Sequence, residues 1–169
     1  MPVVVALAVL VNVLGRGGED GPPADVVGPT SAPLADLPPI DVTTPPVTPA
    51  ADLACPVLMK QLPAELAGEP SRRVSSASPY AYAWGDPAVV LICGAVPPAG
   101  FVVGAATLQV NGVEWFVDTR DPDTVVWTTV DRTVPVEVRV PASSDSASPT
   151  ALSPVIAAAL PYTPPKPGP

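Results

Sequence analysis

The chain has 169 residues, 27 of them proline and none histidine, with eight basic residues against sixteen acidic ones for a net charge of −8. A chain this acidic has no general attraction for nucleic acid or anionic lipid headgroups. The missing histidine removes the commonest general base and metal ligand, and no cofactor motif is present, so no cofactor is expected.

Residues 3–14 (VVVALAVLVNVL) come first as a nearly unbroken apolar run. As a helix they span roughly 18 Å at about 1.5 Å per residue, short of the roughly 20 residues a bilayer needs. Segment 1–15 therefore reads as a signal-like region or a membrane anchor. No Lys or Arg precedes the run, as would follow from a start placed too late; a buried β-strand is the other reading. Residues 16–51 read as a proline-rich linker, since residues 22–49 hold nine prolines and favour extended polyproline II. That linker is either a stalk or plain disorder.

The compact part is expected over 52–161. Cys55 and Cys93, the only cysteines, read as one disulfide behind an export-like segment; two buried free thiols are the alternative. Pro56 suits a first helical position and Leu58, Leu62 and Leu66 recur every four residues, which predicts a helix near 56–62, broken at Pro63. Tyr80–Trp84 alternates aromatic residues with alanine, and Val89–Cys93 reads as a buried strand. Thr107–Asp118 reads as a hairpin with a type I′ turn at Asn111-Gly112, pairing Val110 with Val113, Leu108 with Trp115 and Ala106 with Val117. A strand over 124–130 follows. Then Val134, Val136, Val138 and Val140 alternate with Pro135, Glu137, Arg139 and Pro141, a half-buried strand whose prolines put it at a sheet edge. After a Ser-rich loop at 142–148, Ser153 caps a short helix beginning at Pro154 and running through Leu160. Residues 162–169 read as a disordered tail. The fold class is α+β: a small, mainly antiparallel sheet of about four to six strands, covered on one face by an N-terminal and a C-terminal short helix, with one disulfide.

Several motifs recur in a family order. Cys55-Pro56 with Leu62-Pro63, Trp84-Gly85-Asp86-Pro87 and Val90-Leu91-Ile92-Cys93-Gly94 are followed by Val110-Asn111-Gly112-Val113-Glu114-Trp115-Phe116. Thr128-Thr129-Val130-Asp131-Arg132 then precedes Pro135-Val136-Glu137-Val138. Over about residues 53–160 the chain resembles the actinobacterial secreted family known as domain of unknown function 3515. It departs at Ile92, where the resemblance anticipates Arg, and at Val130-Asp131, where it anticipates an aromatic residue and then glycine. The resemblance implies an exported or membrane-anchored envelope protein with its two cysteines paired, and it implies no activity.

Asp118, Asp121 and Asp123 form an oxygen-rich loop of the kind that holds Ca²⁺. Arg120 interrupts it and the EF-hand spacing is absent, so these are weak metal candidates beside ordinary turn chemistry. Asp86, Glu114, Asp118 and Asp131 are carboxylates of the type acid–base catalysis uses, but the sequence brings no two together. No catalytic residue is assigned. Tyr80, Tyr82, Trp84 and Trp127 are candidates for an aromatic surface toward sugar or peptide partners, with core packing as the plainer reading. Arg72 and Arg73 are candidates for contact with an anionic envelope polymer, or for pairing with the Asp86 turn.

The function expected is that of an extracytoplasmic protein, secreted or tethered by its N-terminus, acting as a non-catalytic binding or accessory domain. Its expected partner is an envelope protein or cell-wall polymer, with membrane contact only through the N-terminal apolar segment. The alternative is a carboxylate-dependent envelope hydrolase or transferase, which needs a pocket holding two carboxylates. A small-ligand carrier would need a deep apolar cavity.

Overall fold

The computed structural model describes residues 34–168. The apolar run at 3–14 and the first part of the proline-rich stretch lie outside these residues. A short 3₁₀ turn at Leu34–Asp36 leads into strand β1 (Ile40–Val42) and then helix α1 (Pro49–Met59). The start of α1 is set locally. Thr48 is extended, its hydroxyl accepts the Ala51 N–H at 3.2 Å, Pro49 takes the first helical position, and Asp52 lies in the first turn. The helix therefore begins ahead of the 56–62 expected from the sequence, and Pro56 lies inside it. A proline there cannot donate to the Asp52 carbonyl, yet the helix continues to Met59.

The strands that follow are β2 (Glu65–Leu66), β3 (Glu69–Arg72), β4 (Val74–Ser76), β5 (Ala81–Trp84), β6 (Val89–Cys93), β7 (Leu108–Val110), β8 (Val113–Asp118), β9 (Thr124–Thr129) and β10 (Val136–Pro141). Helix α2 (Ala147–Ala159) closes the order. Eight strands form one sheet, β2-β3-β5-β6-β10-β9-β8-β7, with every neighbouring pair antiparallel. This exceeds the four to six strands expected, because β2 and β3 are too short to carry a pattern. The hairpin forms in the predicted register, Val110 opposite Val113 and Leu108 opposite Trp115. Asn111 (φ 47°) and Gly112 (φ 81°) supply the two positive angles the turn requires. The ladder stops at Leu108, so the expected Ala106–Val117 pair is not formed.

Strand β10 lies between β6 and β9 and is not an edge. Pro135 falls outside it and Pro141 is its last residue, so neither removes an interior ladder donor. The alternation holds: Val136, Val138 and Val140 are buried while Glu137, Arg139 and Pro141 are half-buried.

Both helices lie on one face of the sheet. Leu58 of α1 and Leu152 and Ile156 of α2 pack into one cluster with Trp84, Leu91, Trp115, Trp127, Val136, Val138 and Val140. The Cys55–Cys93 disulfide joins α1 to β6. Closing its 38-residue separation restricts the unfolded chain by roughly 3–4 kcal/mol in the chain-entropy picture. The opposite face is also partly covered. β1 pairs in parallel with β4, and Val42, with Ile40 and Val74 beside it, packs on Ala83, Val90, Ile92 and Ala95. Two covered faces explain why all five residues of β6 are buried. Positions 34–51, expected as linker, thus carry a strand, a helix cap and the first turn of α1.

Helix α2 also starts early, at Ala147 inside the expected Ser-rich loop, and Ser153 and Pro154 lie within it. Ser153 is fully buried. Its hydroxyl donates to the Pro149 carbonyl at 2.7 Å and accepts the Trp115 indole N–H at 3.0 Å. Pro154 cannot donate to the Thr150 carbonyl, and the Asn111 side-chain amide donates there instead, at 3.1 Å. One hairpin residue thereby sets a turn and repairs a helix. Among the described residues no helix is long and apolar enough to cross a membrane.

Candidate functional site

Beyond the strands, a groove of about 390 Å³ opens between the 97–101 loop, the β9–β10 connection and the C-terminal segment. Each wall has a local cause. In the first, the Phe101 N–H donates to the Pro98 carbonyl at 3.0 Å, and the Phe101 ring tilts against Phe116 with centroids 6.0 Å apart. Gly100 must lack a side chain, since a Cβ there would lie 2.9 Å from the Phe116 ring. The β9–β10 connection is anchored where the Gly94 and Ala95 N–H groups donate to the Pro135 carbonyl at 2.9 and 3.1 Å.

The third wall is residues 161–168; of these, 162–168 belong to the expected disordered tail, yet the segment is tied down at both ends. At one end the Thr133 N–H donates to the Pro161 carbonyl at 3.1 Å and the Thr163 N–H to the Asp131 carbonyl at 2.9 Å. At the other, the Gly168 N–H donates to the Phe101 carbonyl at 2.9 Å, and the Val103 N–H to the Gly168 carbonyl at 3.2 Å. Its prolines suit this role, because an extended chain with few N–H groups needs few partners. Pro164 and Lys166 face the groove between the two ties.

The lining combines ring faces of Pro97, Pro98, Phe101, Pro135 and Pro164, hydroxyl-bearing Thr129, Thr133 and Thr163, and two cations, Arg132 and Lys166. It includes no carboxylate. Arg132 is 6% exposed. Its guanidinium donates to the Asp131 carbonyl at 3.1 Å and to the Gly112 carbonyl, and lies 6.0 Å from the centre of the Tyr162 ring. Its Nε finds no hydrogen-bond partner among the described residues. The neighbouring Asp131 carboxyl is 1% exposed, 3.5 Å from the Arg132 guanidinium, with Oδ1 equally unpartnered. Burial pushes its pKa up, against the lowering pull of the Glu114 N–H and of Arg132.

The residues proposed as site candidates lie elsewhere and none of them lines this groove, although Thr129, Val130, Arg132 and Pro135 of the family motifs do. Tyr80, Trp84 and Trp127 are buried in the helix-side core and Tyr82 is half-buried beside them. Trp84 donates its indole N–H to the Pro63 carbonyl at 2.9 Å and Tyr80 its hydroxyl to Asp52 at 2.5 Å. The aromatic group is therefore core rather than a binding surface. Arg72 pairs with Asp86 at 2.9 Å, and Arg73 donates to the Leu37 carbonyl at 3.0 Å, so both fasten the incoming chain and the turn after β5. Asp118 is taken by Arg120 at 2.9 Å, which holds its carboxyl down at about 2, and the Asp121 carboxylate accepts the Asp123 N–H at 2.8 Å. These bonds are the ordinary turn chemistry set beside the weak metal candidacy, and among the described residues no cluster of three or more His, Cys, Asp or Glu suits a metal ion. Ile92 is buried beneath β1, opposite Glu137 in the ladder.

The groove residues escaped the sequence reading. Arg132 looked like the end of a motif and Lys166 like part of a loose tail. The one usable signal was the near absence of donors in the tail, which lets a chain lie against a surface.

No curated protein matches the chain, and no solved structure does. The family model described as "Protein of unknown function (DUF3515)" matches residues 1–165, nearly the whole length, and the chain belongs to that family, the one its motifs resemble.

Proposed function

We propose that the chain is an exported cell-envelope domain that acts by binding, with an envelope protein or a cell-wall polymer as its partner. The groove is the observation that carries this reading. Its flat ring faces, hydroxyls and two cations can hold a ligand, while a lining without carboxylates offers no acid–base pair. The buried disulfide supports an oxidising compartment outside the cytoplasm.

The alternative, a carboxylate-dependent envelope hydrolase or transferase, has one observation in its favour: Glu114 and Asp131 lie close enough for the Glu114 charge to help raise the Asp131 pKa. Asp131 is sealed from solvent, however, and Glu114 accepts the Thr107 hydroxyl at 2.7 Å. The binding reading is tested with the full chain in its native cells. Thiol labelling without reductant should leave both cysteines unmodified, external protease should reach the protein, and affinity capture should retain a wall polymer or an envelope protein. Reduced, cytoplasmic protein, or turnover of a wall fragment that Asp131→Asn abolishes, would overturn it.

A further inference from the structure

The groove supports a more specific reading, which rests on the binding role proposed above. Three cations elsewhere on the molecule have close carboxylate partners: Arg72 meets Asp86 at 2.9 Å, Arg139 meets Glu137 at 2.6 Å, and Arg120 grips Asp118. Lys166 makes no ion pair among the described residues, and Arg132 has only Asp131, at 3.5 Å, with its Nε left over. Arg132 and Lys166 thus share one groove whose lining holds no carboxylate, in a chain of net charge −8.

Shape adds to charge. The volume falls within the range of small-molecule sites. Phe101 and the prolines present flat apolar faces beside the cations, while Thr133 and Thr163 add hydroxyls able to donate or accept. The arrangement matches a molecule with an anionic group at one end and an apolar ring or short chain at the other. Lys166 offers that anion a point charge, and Arg132 adds a second positive charge whose guanidinium serves the Asp131 and Gly112 carbonyls and keeps its Nε unpartnered.

We propose that this groove is a binding site for small organic anions, their carboxylate or phosphate held by Arg132 and Lys166 and their apolar body packed against Phe101, Pro98 and Pro164. The C-terminal segment is then a built part of the site, because it carries Lys166 and one wall.

The test uses the full chain, isotope-labelled, titrated with phenyl phosphate and with phenylacetate, and with benzyl alcohol as the neutral control. Saturable shifts at the amides of Phe101, Thr133 and Lys166 are expected with one or both anions, weakening as salt rises. The two arms decide between phosphate and carboxylate. Lys166 is exposed, so Lys166→Gln leaves the fold intact and should weaken binding about threefold. Arg132→Lys keeps the charge but loses the planar donors and should weaken it about tenfold. No saturable shift, equal binding of benzyl alcohol, or unchanged affinity in Lys166→Gln would overturn the proposal. Capture of an envelope partner that Lys166→Gln leaves intact would overturn this site while sparing the binding role. Anion binding with no envelope capture would do the reverse.

Discussion

Trp84 illustrates how residue types and residue roles part company. Its place in an aromatic–alanine alternation was plain, and so was a strand. Which face the aromatics take is decided by the helices, which lie on their side and bury Trp84 completely. Trp84→Ala should destabilise the fold by about 3–5 kcal/mol, measured by urea unfolding, and it also leaves the Pro63 carbonyl without its donor. A loss below about 1 kcal/mol would return Trp84 to the surface role. Two aspartates predict opposite pH responses. The Asp131 pKa is raised in the folded state by burial, so the native state holds that proton more tightly. Its contribution is present below the ordinary value of 3.8 and is lost as pH rises through the raised one. Asp118 is lowered to about 2 by Arg120, so its contribution is present above 3.8 and is lost as pH falls toward 2. Unfolding free energies across pH 2–7 should lose the downward slope in Asp131→Asn and the acid-side fall in Asp118→Asn. Slopes that survive these changes would contradict the assignment.

At the level of elements, type was more legible than extent. The Asn111-Gly112 hairpin, the β6 run and the β10 alternation were all readable, because period and turn chemistry are local properties. Both helix starts were misplaced for one reason: Pro56 and Pro154 look like first positions, whereas Thr48 and Ser146 precede the real first turns. Interior prolines survive here through tertiary help, as when Asn111 serves the Thr150 carbonyl. Contact between α1 and the end of β6 gives a sharp prediction. Gly94 has φ +86°, and a Cβ there would lie 2.8 Å from the Cβ of Ala51 on α1. Gly94→Ala should cost about 1–3 kcal/mol. Combining it with Ala51→Gly should recover part of that cost, because the clash disappears while the strained φ remains. A double-mutant cycle measures this, and strict additivity would show that the contact is not limiting.

Over the whole molecule, the proline excess changes meaning. Residues 40–42 cover the second face of the sheet, and 161–168 close the groove. Deleting residues 162–169 should speed hydrogen exchange at Val103, whose N–H is held by Gly168, and should abolish the response of Phe101 and Thr133 to an anionic ligand, while the helix-side core keeps its protection. Unchanged exchange at Val103 would show that the tail does not hold this wall in solution. The sequence by itself determined the α+β class, the hairpin register, the pairing partners available to two cysteines and the family, because each follows from short-range pattern or from residue identity. Only the tertiary structure decided that the aromatics are core, that β10 is central, that two proline-rich stretches belong to the fold, and that Arg132 and Lys166 share a groove. Those outcomes depend on contacts between residues far apart in the chain, such as Gly168 with Phe101, and no local pattern encodes which distant surface an extended segment will meet.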